Sequence, residues 1–173
     1  MYCTQFNCVS IVSVKIKKIL PPPAFSDNEA LNVDLQMCFA LYSASLSMTK
    51  AYKPLLAELK LTYPQYLVLL VLWEKDAVTV NSLGERLFSD SGTLTPLLKR
   101  LEKLGLIQRQ RLAEDERKVI ISLTEEGKQL QKQAADVPVQ IARNTGCSLA
   151  ELRFLNDQLI SLRTALIKNF KKT

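Results

Sequence analysis

The chain has 173 residues, which is enough for one domain with a buried core and an additional arm. Hydrophobic residues make up 47% and charged residues 23% of the chain, so neither wholesale disorder nor a membrane protein is expected. The sequence contains no histidine, which removes imidazole general bases, Ser-His and Cys-His nucleophile pairs and mixed Cys/His zinc sites, while the net charge of +6 favours an anionic partner such as nucleic acid.

The cysteines lack the spacing of a structural zinc site or of a compact disulfide framework, because no two of them form a CxxC pair. They are Cys3, Cys8, Cys38 and Cys147. No apolar run reaches the roughly 18 residues that a membrane span needs, and lysines follow the short apolar stretch near the N-terminus instead of preceding it, unlike a signal peptide. We therefore expect a cytoplasmic protein in a reducing compartment, with no metal and no cofactor.

Residues 1–30 differ from the rest of the chain. A short β-branched run and three lysines precede Pro21, Pro22 and Pro23, which favour extended polyproline geometry and forbid a helix across them. We interpret this segment as an N-terminal arm outside the domain of residues 31–173. A tail without function, a disordered segment and the product of a start codon placed too far upstream are all consistent with this pattern.

A helical pattern begins at Asp34 and continues to about residue 60, with apolar side chains recurring at helical spacing. Pro54 is expected to kink or restart this helix. Thr62 then caps a further segment with Pro64 in its first turn. The nearly continuous apolar run that follows predicts a buried central helix.

Two short helices come next, and a tight break that contains Gly92 separates them. Thr79 caps the first helix, over residues 80–88, and the second covers residues 93–104 with its start near residues 91–93. Pro96 is expected within the first turn of that second helix, since its ring clashes with a carbonyl four residues back in a helix interior. Gly105 supplies the C-terminal stop. This layout is typical of a helix-turn-helix.

Two β-prone runs follow, at residues 106–111 and 118–123, and a charged loop joins them. They predict a β-hairpin, or wing. Thr124 is expected to cap a long helix that reaches about Arg143 and bends near Pro138, and Ser148 with Glu151 forms a capping box that opens a last helix.

The predicted fold is therefore mainly α with a small β-hairpin. A winged helix-turn-helix lobe at about residues 62–124 stands between dimerisation helices at about residues 34–60 and 125–171. A homodimer is expected because these flanking helices carry more apolar surface than one winged lobe can cover, and paired DNA half-sites need two recognition helices.

The second helix of the pair carries side chains suited to the major groove of double-stranded DNA. Its first turns offer the hydroxyl groups of Ser91, Thr93 and Thr95, and its later turns offer the cations of Lys99, Arg100 and Lys103. A lone basic helix is equally consistent with a solvated face. The hairpin favours DNA binding, because Arg109, Arg111 and Arg117 are expected to converge at its tip, where a wing reaches a minor groove.

These segments resemble the MarR family of winged helix-turn-helix repressors. The matching motifs are LGERL at residues 83–87, SGTLTPLLKRLE at 91–102, DER at 115–117 and LTEEG at 123–127. In that family the wing arginine enters the minor groove and an aspartate two residues earlier steadies it. The resemblance implies these roles for Arg117 and Asp115, on a pseudo-palindromic operator.

Cys38 lies near the start of the first predicted helix, where unsatisfied N–H groups and the helix dipole favour a thiolate. Tyr42 follows one turn later on the same face, and Tyr52 and Tyr63 flank the segment expected to kink, so that each is able to aim a phenol at the sulfur. An inert buried cysteine among core aromatic residues is consistent with the same spacing.

The block LQMCFALYSAS at residues 35–45 is similar to the opening helix of the OhrR subgroup of that family, the organic hydroperoxide regulators. The resemblance implies that Cys38 senses organic hydroperoxides and that Tyr52 and Tyr63 hydrogen-bond to its sulfur, with Tyr42 nearby. NTGCSL at residues 144–149 is similar to the second-cysteine site of the two-cysteine branch, which implies an intersubunit disulfide between Cys38 and Cys147. Cys3 and Cys8 have no counterpart in the family, so other disulfides stay open.

Two other functions are consistent with parts of the sequence. The same DNA-binding fold is able to respond to a small phenolic or drug-like ligand held between the dimer helices and the winged lobe, with Cys38 incidental. A thiol peroxidase is disfavoured, because such enzymes normally place an arginine beside the reactive sulfur and no arginine precedes Arg86. We therefore expect a repressor and not an enzyme.

Overall fold

The computed structural model of the chain describes residues 30–112 and 115–170, with the side chains of these residues apart from 112, 115–117 and 170. The chain divides into two compact units, residues 1–41 and residues 42–173. Residues 1–29, which make up nearly all of the predicted N-terminal arm, and residues 171–173 lie outside the described residues.

The first helix begins later than its pattern predicts. A 3-10 turn, Val33–Leu35, is capped by the side chain of Asn32, and helix α1, Met37–Glu58, begins only after it. Pro54 does not restart the helix, because α1 runs through it to Glu58. Helix α2, Tyr63–Glu74, begins as expected after Thr62, whose backbone N–H donates to the side-chain oxygen of Gln65 at 2.7 Å.

A two-residue strand, β1 (Val78–Thr79), leads into the helix-turn-helix, which comprises α3 (Val80–Leu87) and α4 (Ser91–Lys103). Thr79 caps α3 as predicted, and its hydroxyl oxygen accepts the backbone N–H of Ser82 at 3.1 Å. The expectation for Pro96 was wrong: Asp90 caps α4, so Pro96 falls in the second turn. The helix accommodates it there at the loss of one backbone hydrogen bond to the carbonyl four residues earlier.

The predicted wing is present as strands β2 (Ile107–Leu112) and β3 (Asp115–Leu123). They pair antiparallel, with Ile107 opposite Leu123 and Arg111 opposite Val119. The sheet has a third strand that the sequence analysis missed, since β1 pairs with the other side of β3 in the order β1-β3-β2. The start of the helix-turn-helix, at β1 and α3, and the wing are thus joined through one small sheet.

The expected long helix after the wing is two helices, α5 (Glu125–Ala134) and α6 (Val137–Thr145). The chain breaks there instead of bending because Pro138, in the first turn of α6, has no N–H for the carbonyl four residues back. The last helix, α7 (Leu149–Phe170), begins at the predicted capping box, in which the backbone N–H of Ser148 donates to a Glu151 carboxylate oxygen at 2.8 Å.

The core of the second unit is built from buried apolar side chains of α1 to α6 and of the sheet. Tyr66, Val68, Leu69 and Leu72 of α2 are buried at its centre, as the apolar run predicts. Among the described residues, no single helix is both long and apolar enough to cross a membrane. Helices α1 and α2 together have the length and apolar composition of a membrane span, but the chain bends by 74° between them.

Candidate nucleic-acid interface and thiol sites

Helix α4 has one buried and one exposed face. Its leucines at positions 94, 98 and 101 are buried in the core, which fixes the rotation of the helix about its axis. Lys99, Arg100 and Lys103 are exposed on the other side. All three predicted cations therefore face away from the core, where they are able to meet an anionic partner.

The predicted hydroxyl groups occupy the first turns of α4. The carboxylate of Asp90 accepts the backbone N–H of Thr93 at 2.8 Å through one oxygen and the Thr93 hydroxyl at 3.0 Å through the other. The backbone and side-chain hydrogen bonds from Thr93 hold the pKa of Asp90 below its ordinary value. Thr95 donates its hydroxyl proton to the carbonyl of Ser91 at 2.7 Å, and Ser91 itself is exposed.

The turn between α3 and α4 is held tightly. Gly84 is buried, and a Cβ there would lie 2.8 Å from the carbonyl oxygen of Ser89, so the close approach requires glycine. Phe88 ends α3 with its backbone in the left-handed region, at φ 53°, and its side chain is 60% exposed. The guanidinium carbon of Arg163, on α7, lies 4.4 Å from the centre of the Phe88 ring, so a cation–π contact joins the last helix to this turn.

Arg109 is not where the sequence analysis placed it. Its side chain is only 23% exposed, and its guanidinium lies 3.7 Å from the carboxylate of Glu102 on α4. Its Nε is buried without an acceptor among the described residues. Arg109 therefore faces the recognition helix at the base of the wing, while Arg111 is exposed nearer the tip. The side chains of Asp115 and Arg117 lie outside the described residues, so their roles stay predictions.

A groove of ≈ 220 Å³ lies beside Arg109. The side chains that line it come from α3, α4 and the sheet, and they include Thr79, Asn81, Thr95 and Lys118. Asn81 and Lys118 were not predicted as site residues, because neither belongs to a motif and only the fold brings them beside Thr95.

The base of the wing is attached to the end of the recognition helix through Thr124 and Gly127. Thr124 donates its hydroxyl to the carbonyl of Gly105 at 2.6 Å and its N–H to the carbonyl of Leu106 at 3.1 Å. A Cβ on Gly127 would clash with that same Leu106 carbonyl oxygen. This packing holds the wing and α4 in a fixed relation.

The two predicted sensor cysteines are both exposed free thiols. Cys38 is the second residue of α1, in its first turn, and it belongs to the unit of residues 1–41. Cys147 belongs to the unit of residues 42–173, in the short link between the left-handed Gly146 and the cap of α7. Its backbone N–H donates to the Thr145 hydroxyl at 3.2 Å.

Three tyrosines form a cluster in the second unit. The rings of Tyr52 and Tyr63 have centroids 4.9 Å apart, and Tyr66 lies 5.9 Å from Tyr52. Burial, with smaller contributions from Tyr63 and Tyr66, raises the pKa of Tyr52 to about 12. Burial also raises the pKa of Tyr63 and of Tyr66, a core residue of α2. Tyr42 is 62% exposed.

Exposed apolar side chains are concentrated on two segments. None of the described side chains of α7 is buried, and a stripe of leucines along this helix is exposed or half-buried. Its members are Leu152, Leu155, Leu159, Leu162 and Leu166. In the first unit, the apolar residues from Leu31 to Leu41 are likewise exposed.

Residues 50–134 match the family model described as Transcriptional regulator SarA/Rot. The chain is 51% identical over 136 residues to the organic hydroperoxide resistance transcriptional regulator of Bacillus subtilis (strain 168), covering 79% of this chain and 92% of that protein. Both matches include the helix-turn-helix and the wing.

Solved structures of AbfR, a protein of Staphylococcus epidermidis, have the same fold. Reduced AbfR bound to DNA is 37% identical to this chain, with a TM-score of 0.66 over 80% of this chain and 98% of that one. Overoxidised AbfR bound to DNA is 38% identical with a TM-score of 0.65, over 82% and 99% of the two chains. Disulfide-formed AbfR is 38% identical with a TM-score of 0.55, over 78% and 95%.

Proposed function

The chain belongs to the MarR-type family of winged-helix transcriptional regulators, and we propose that it is a repressor whose hold on its operator is released by organic hydroperoxides. The observation that carries the proposal is the exposed thiol of Cys38 in the first turn of α1, in a chain whose α4 and wing form a DNA-binding lobe. Its similarity to the B. subtilis hydroperoxide regulator supports the choice of inducer.

In the proposed DNA complex, α4 enters the major groove and the wing reaches the adjacent minor groove. Lys99, Arg100 and Lys103 contact phosphates or base edges from the exposed face of α4, and Ser91, Thr93 and Thr95 approach the bases from its first turns. The wing contributes Arg111, with Arg117 inserted into the minor groove and Asp115 holding it. Arg109 supports the wing by pairing with Glu102.

The proposed sensing step takes place at Cys38. The N-terminal turn of a helix favours the thiolate over the thiol, because backbone N–H groups and the helix dipole stabilise the negative charge. The thiolate attacks one peroxide oxygen, the O–O bond breaks, and the leaving alkoxide takes a proton to become the alcohol. The sulfur loses two electrons and becomes sulfenic acid.

Tyr52 and Tyr63 are proposed to hydrogen-bond to the Cys38 sulfur, with Tyr42 nearby on the same helix face. Because the pKa of Tyr52 is raised to about 12, its phenol keeps its proton throughout the physiological range. A protonated phenol donates to a thiolate and stabilises it without a nearby cation. The tyrosine cluster thus supports a reactive thiol in a protein without histidine.

The second step joins two copies of the chain. The thiolate of Cys147 from the second copy attacks the sulfenic sulfur, the S–S bond forms, and the expelled hydroxide leaves as water. Since AbfR is bound to DNA both reduced and overoxidised and was also solved in a disulfide form, we propose that the disulfide, and not oxidation of the sulfur alone, releases DNA. The Arg163–Phe88 contact offers a route from α7 to the helix-turn-helix turn.

The proposal is tested by measuring how tightly the protein binds promoter DNA of a peroxide-detoxifying gene, with and without an organic hydroperoxide. Wild-type protein should leave the DNA and form a disulfide-linked dimer on a non-reducing gel. Cys38→Ser should stay bound at every oxidant dose, and Cys147→Ser should be oxidised at Cys38, form no covalent dimer and keep more DNA bound. Release of Cys38→Ser by hydroperoxide would contradict the sensor role of Cys38.

One observation favours a second candidate function. The groove beside Arg109 contains two cations, Arg109 and Lys118, and the hydroxyls of Thr79 and Thr95, so a small phenolic or anionic ligand is able to bind there. Its position between α3, α4 and the sheet would let such a ligand alter DNA binding without Cys38. The Cys38→Ser experiment separates the two functions, because a ligand-responsive repressor would keep its response.

A further inference from the structure

Thr93 lies on the exposed side of the recognition helix, and its hydroxyl proton is already in use. The hydroxyl donates to one oxygen of the Asp90 carboxylate at 3.0 Å, while the backbone N–H of Thr93 donates to the other oxygen at 2.8 Å. Both oxygens of Asp90 are thus directed at the same residue. A hydroxyl group has one proton and two lone pairs, so what Thr93 has left to offer is an acceptor.

The hydrogen bonds to Asp90 fix the Thr93 side chain more firmly than hydrogen bonds to a neutral acceptor would. Hydrogen bonds to an ionised carboxylate are about twice as strong as neutral ones. The same bonds hold the pKa of Asp90 below its ordinary value, so the carboxylate stays charged at neutral pH. Rotating the Thr93 hydroxyl to donate elsewhere would sacrifice a charge-assisted bond at the helix cap.

Apart from the Ser91 hydroxyl at the start of α4, the side chains around Thr93 on this helix offer no donor before Lys99. Gly92 and Pro96 occupy the centre of the exposed side in the first two turns, and neither has a polar side chain. Thr95, on the other flank, donates its own hydroxyl proton to the Ser91 carbonyl at 2.7 Å. The cationic donors begin only at Lys99, so from Gly92 to Pro96 the exposed side presents acceptors and apolar surface.

Base edges in the major groove differ in what they present to such a surface. Adenine and cytosine carry an exocyclic amine there, which donates, whereas guanine and thymine present only acceptors and, for thymine, a methyl group. An acceptor-only hydroxyl is therefore complementary to adenine or cytosine and repels guanine or thymine at the same position.

We propose that Thr93 is a specificity-determining residue that selects an adenine or cytosine amine in the operator, with Asp90 as the positioning residue that sets the polarity of its hydroxyl. This rests on the proposed DNA-binding role of α4 and adds to it the kind of base read by its first turn. Asp90 acts without touching the DNA, by holding the proton that would otherwise let Thr93 donate.

Selection of bound duplexes from a randomised pool, with full-length reduced protein, tests the proposal. Wild-type protein should enrich adenine or cytosine at one position per half-site, Thr93→Val should erase that preference, and the matched Thr93→Ser should keep it. Replacing the selected adenine by purine, which lacks the amine, should weaken wild-type binding on the order of 2- to 10-fold and leave Thr93→Val unchanged.

Asp90→Asn is the decisive variant, because asparagine still caps a helix but turns one side-chain acceptor into a donor. The amide of Asn then donates to one lone pair of the Thr93 hydroxyl and frees its proton, so the hydroxyl is able to donate as well as accept, and guanine or thymine should be enriched at the same position beside adenine or cytosine. A wild-type preference for guanine or thymine there, or an Asp90→Asn protein with unchanged preference, would overturn the proposal. Failure of wild-type protein to enrich any sequence would instead count against the DNA-binding role itself.

Discussion

Gly127 shows how much one missing side chain contributes to this fold. It lies in the first turn of α5, donates its N–H to the Thr124 hydroxyl at 3.1 Å and accepts the indole N–H of Trp73 at 2.9 Å. A methyl group at this position would clash with the Leu106 carbonyl. We expect Gly127→Ala to lower the free energy of unfolding by about 1–3 kcal/mol, measured by urea titration with Trp73 fluorescence.

Gly146→Ala is the matched control for this prediction. It has open space around it but a φ of 69°, so the same substitution there should cost only about 1 kcal/mol through backbone strain. If Gly127→Ala is no more destabilising than Gly146→Ala, close packing at the base of the wing is not what Gly127 provides.

Tyr52 gives the stability of the protein a dependence on alkaline pH. An unfolded tyrosine loses its proton near pH 10, but the folded pKa of Tyr52 is about 12, so the folded state retains a proton that the unfolded state has released. The contribution of Tyr52 to the free energy of unfolding should be fully present below pH 10 and be lost as the pH rises towards 12. Unfolding midpoints in urea between pH 8 and 11.5 measure this decrease.

Tyr52→Phe removes the ionisable group and keeps the ring. Its midpoint should therefore decline less steeply above pH 10 than that of wild-type protein, with similar values at pH 8. Parallel curves for the two proteins would show that Tyr52 is not the group that titrates.

At the scale of elements, the wing has the most direct consequence for binding. Arg117→Ala should weaken operator binding by roughly 1–3 kcal/mol and leave thermal unfolding unchanged, since the side chain is proposed to contact DNA and not the core. Fluorescence anisotropy with labelled operator measures the change. Arg153→Ala, which removes an exposed guanidinium from α7, is the control and should bind normally.

Most elements follow from local sequence, and the exceptions share one physical cause. The caps at Thr62, Thr79 and Ser148 and the stop at Gly105 act within a few residues, so the pattern predicts them. The effects of Pro54, Pro96 and Pro138 were misjudged because a helix continues through proline at some positions and ends at others, and the local sequence does not distinguish the two cases. Strand β1 exists only because β3 pairs with it, and two residues carry no periodic signal.

On the candidate binding surface, likewise, local patterns predicted the residues of a single helix but not the contacts between distant segments. The cations of α4 lie opposite a regular leucine face, so their exposure followed from helical spacing. Arg109 was misplaced because alternation along a strand does not reveal that Glu102 of α4 lies within reach. The groove residues Asn81 and Lys118 come from distant parts of the chain, and only the fold brings them to one place.

At the scale of the whole molecule, the exposed stripe on α7 predicts a homodimer. Leu159→Glu places a charge in this stripe and should shift the dimer towards monomer and weaken operator binding, because a single copy contacts one half-site. Sedimentation at micromolar concentration measures the mass. Ser161→Glu, on another side of the same exposed helix, should remain dimeric; a wild-type monomer with intact DNA binding would contradict the prediction.

Strand β1 also imposes an order of events on synthesis. Thr79 caps α3 and pairs with Ile120, so the start of the helix-turn-helix is completed by a strand that the ribosome adds much later. At about 5–20 residues per second, the nascent chain spends a few seconds with the recognition helix made but its sheet missing. We therefore expect a new copy to bind DNA only after its wing has left the ribosome, so that fragments from interrupted translation leave the operator free for complete chains.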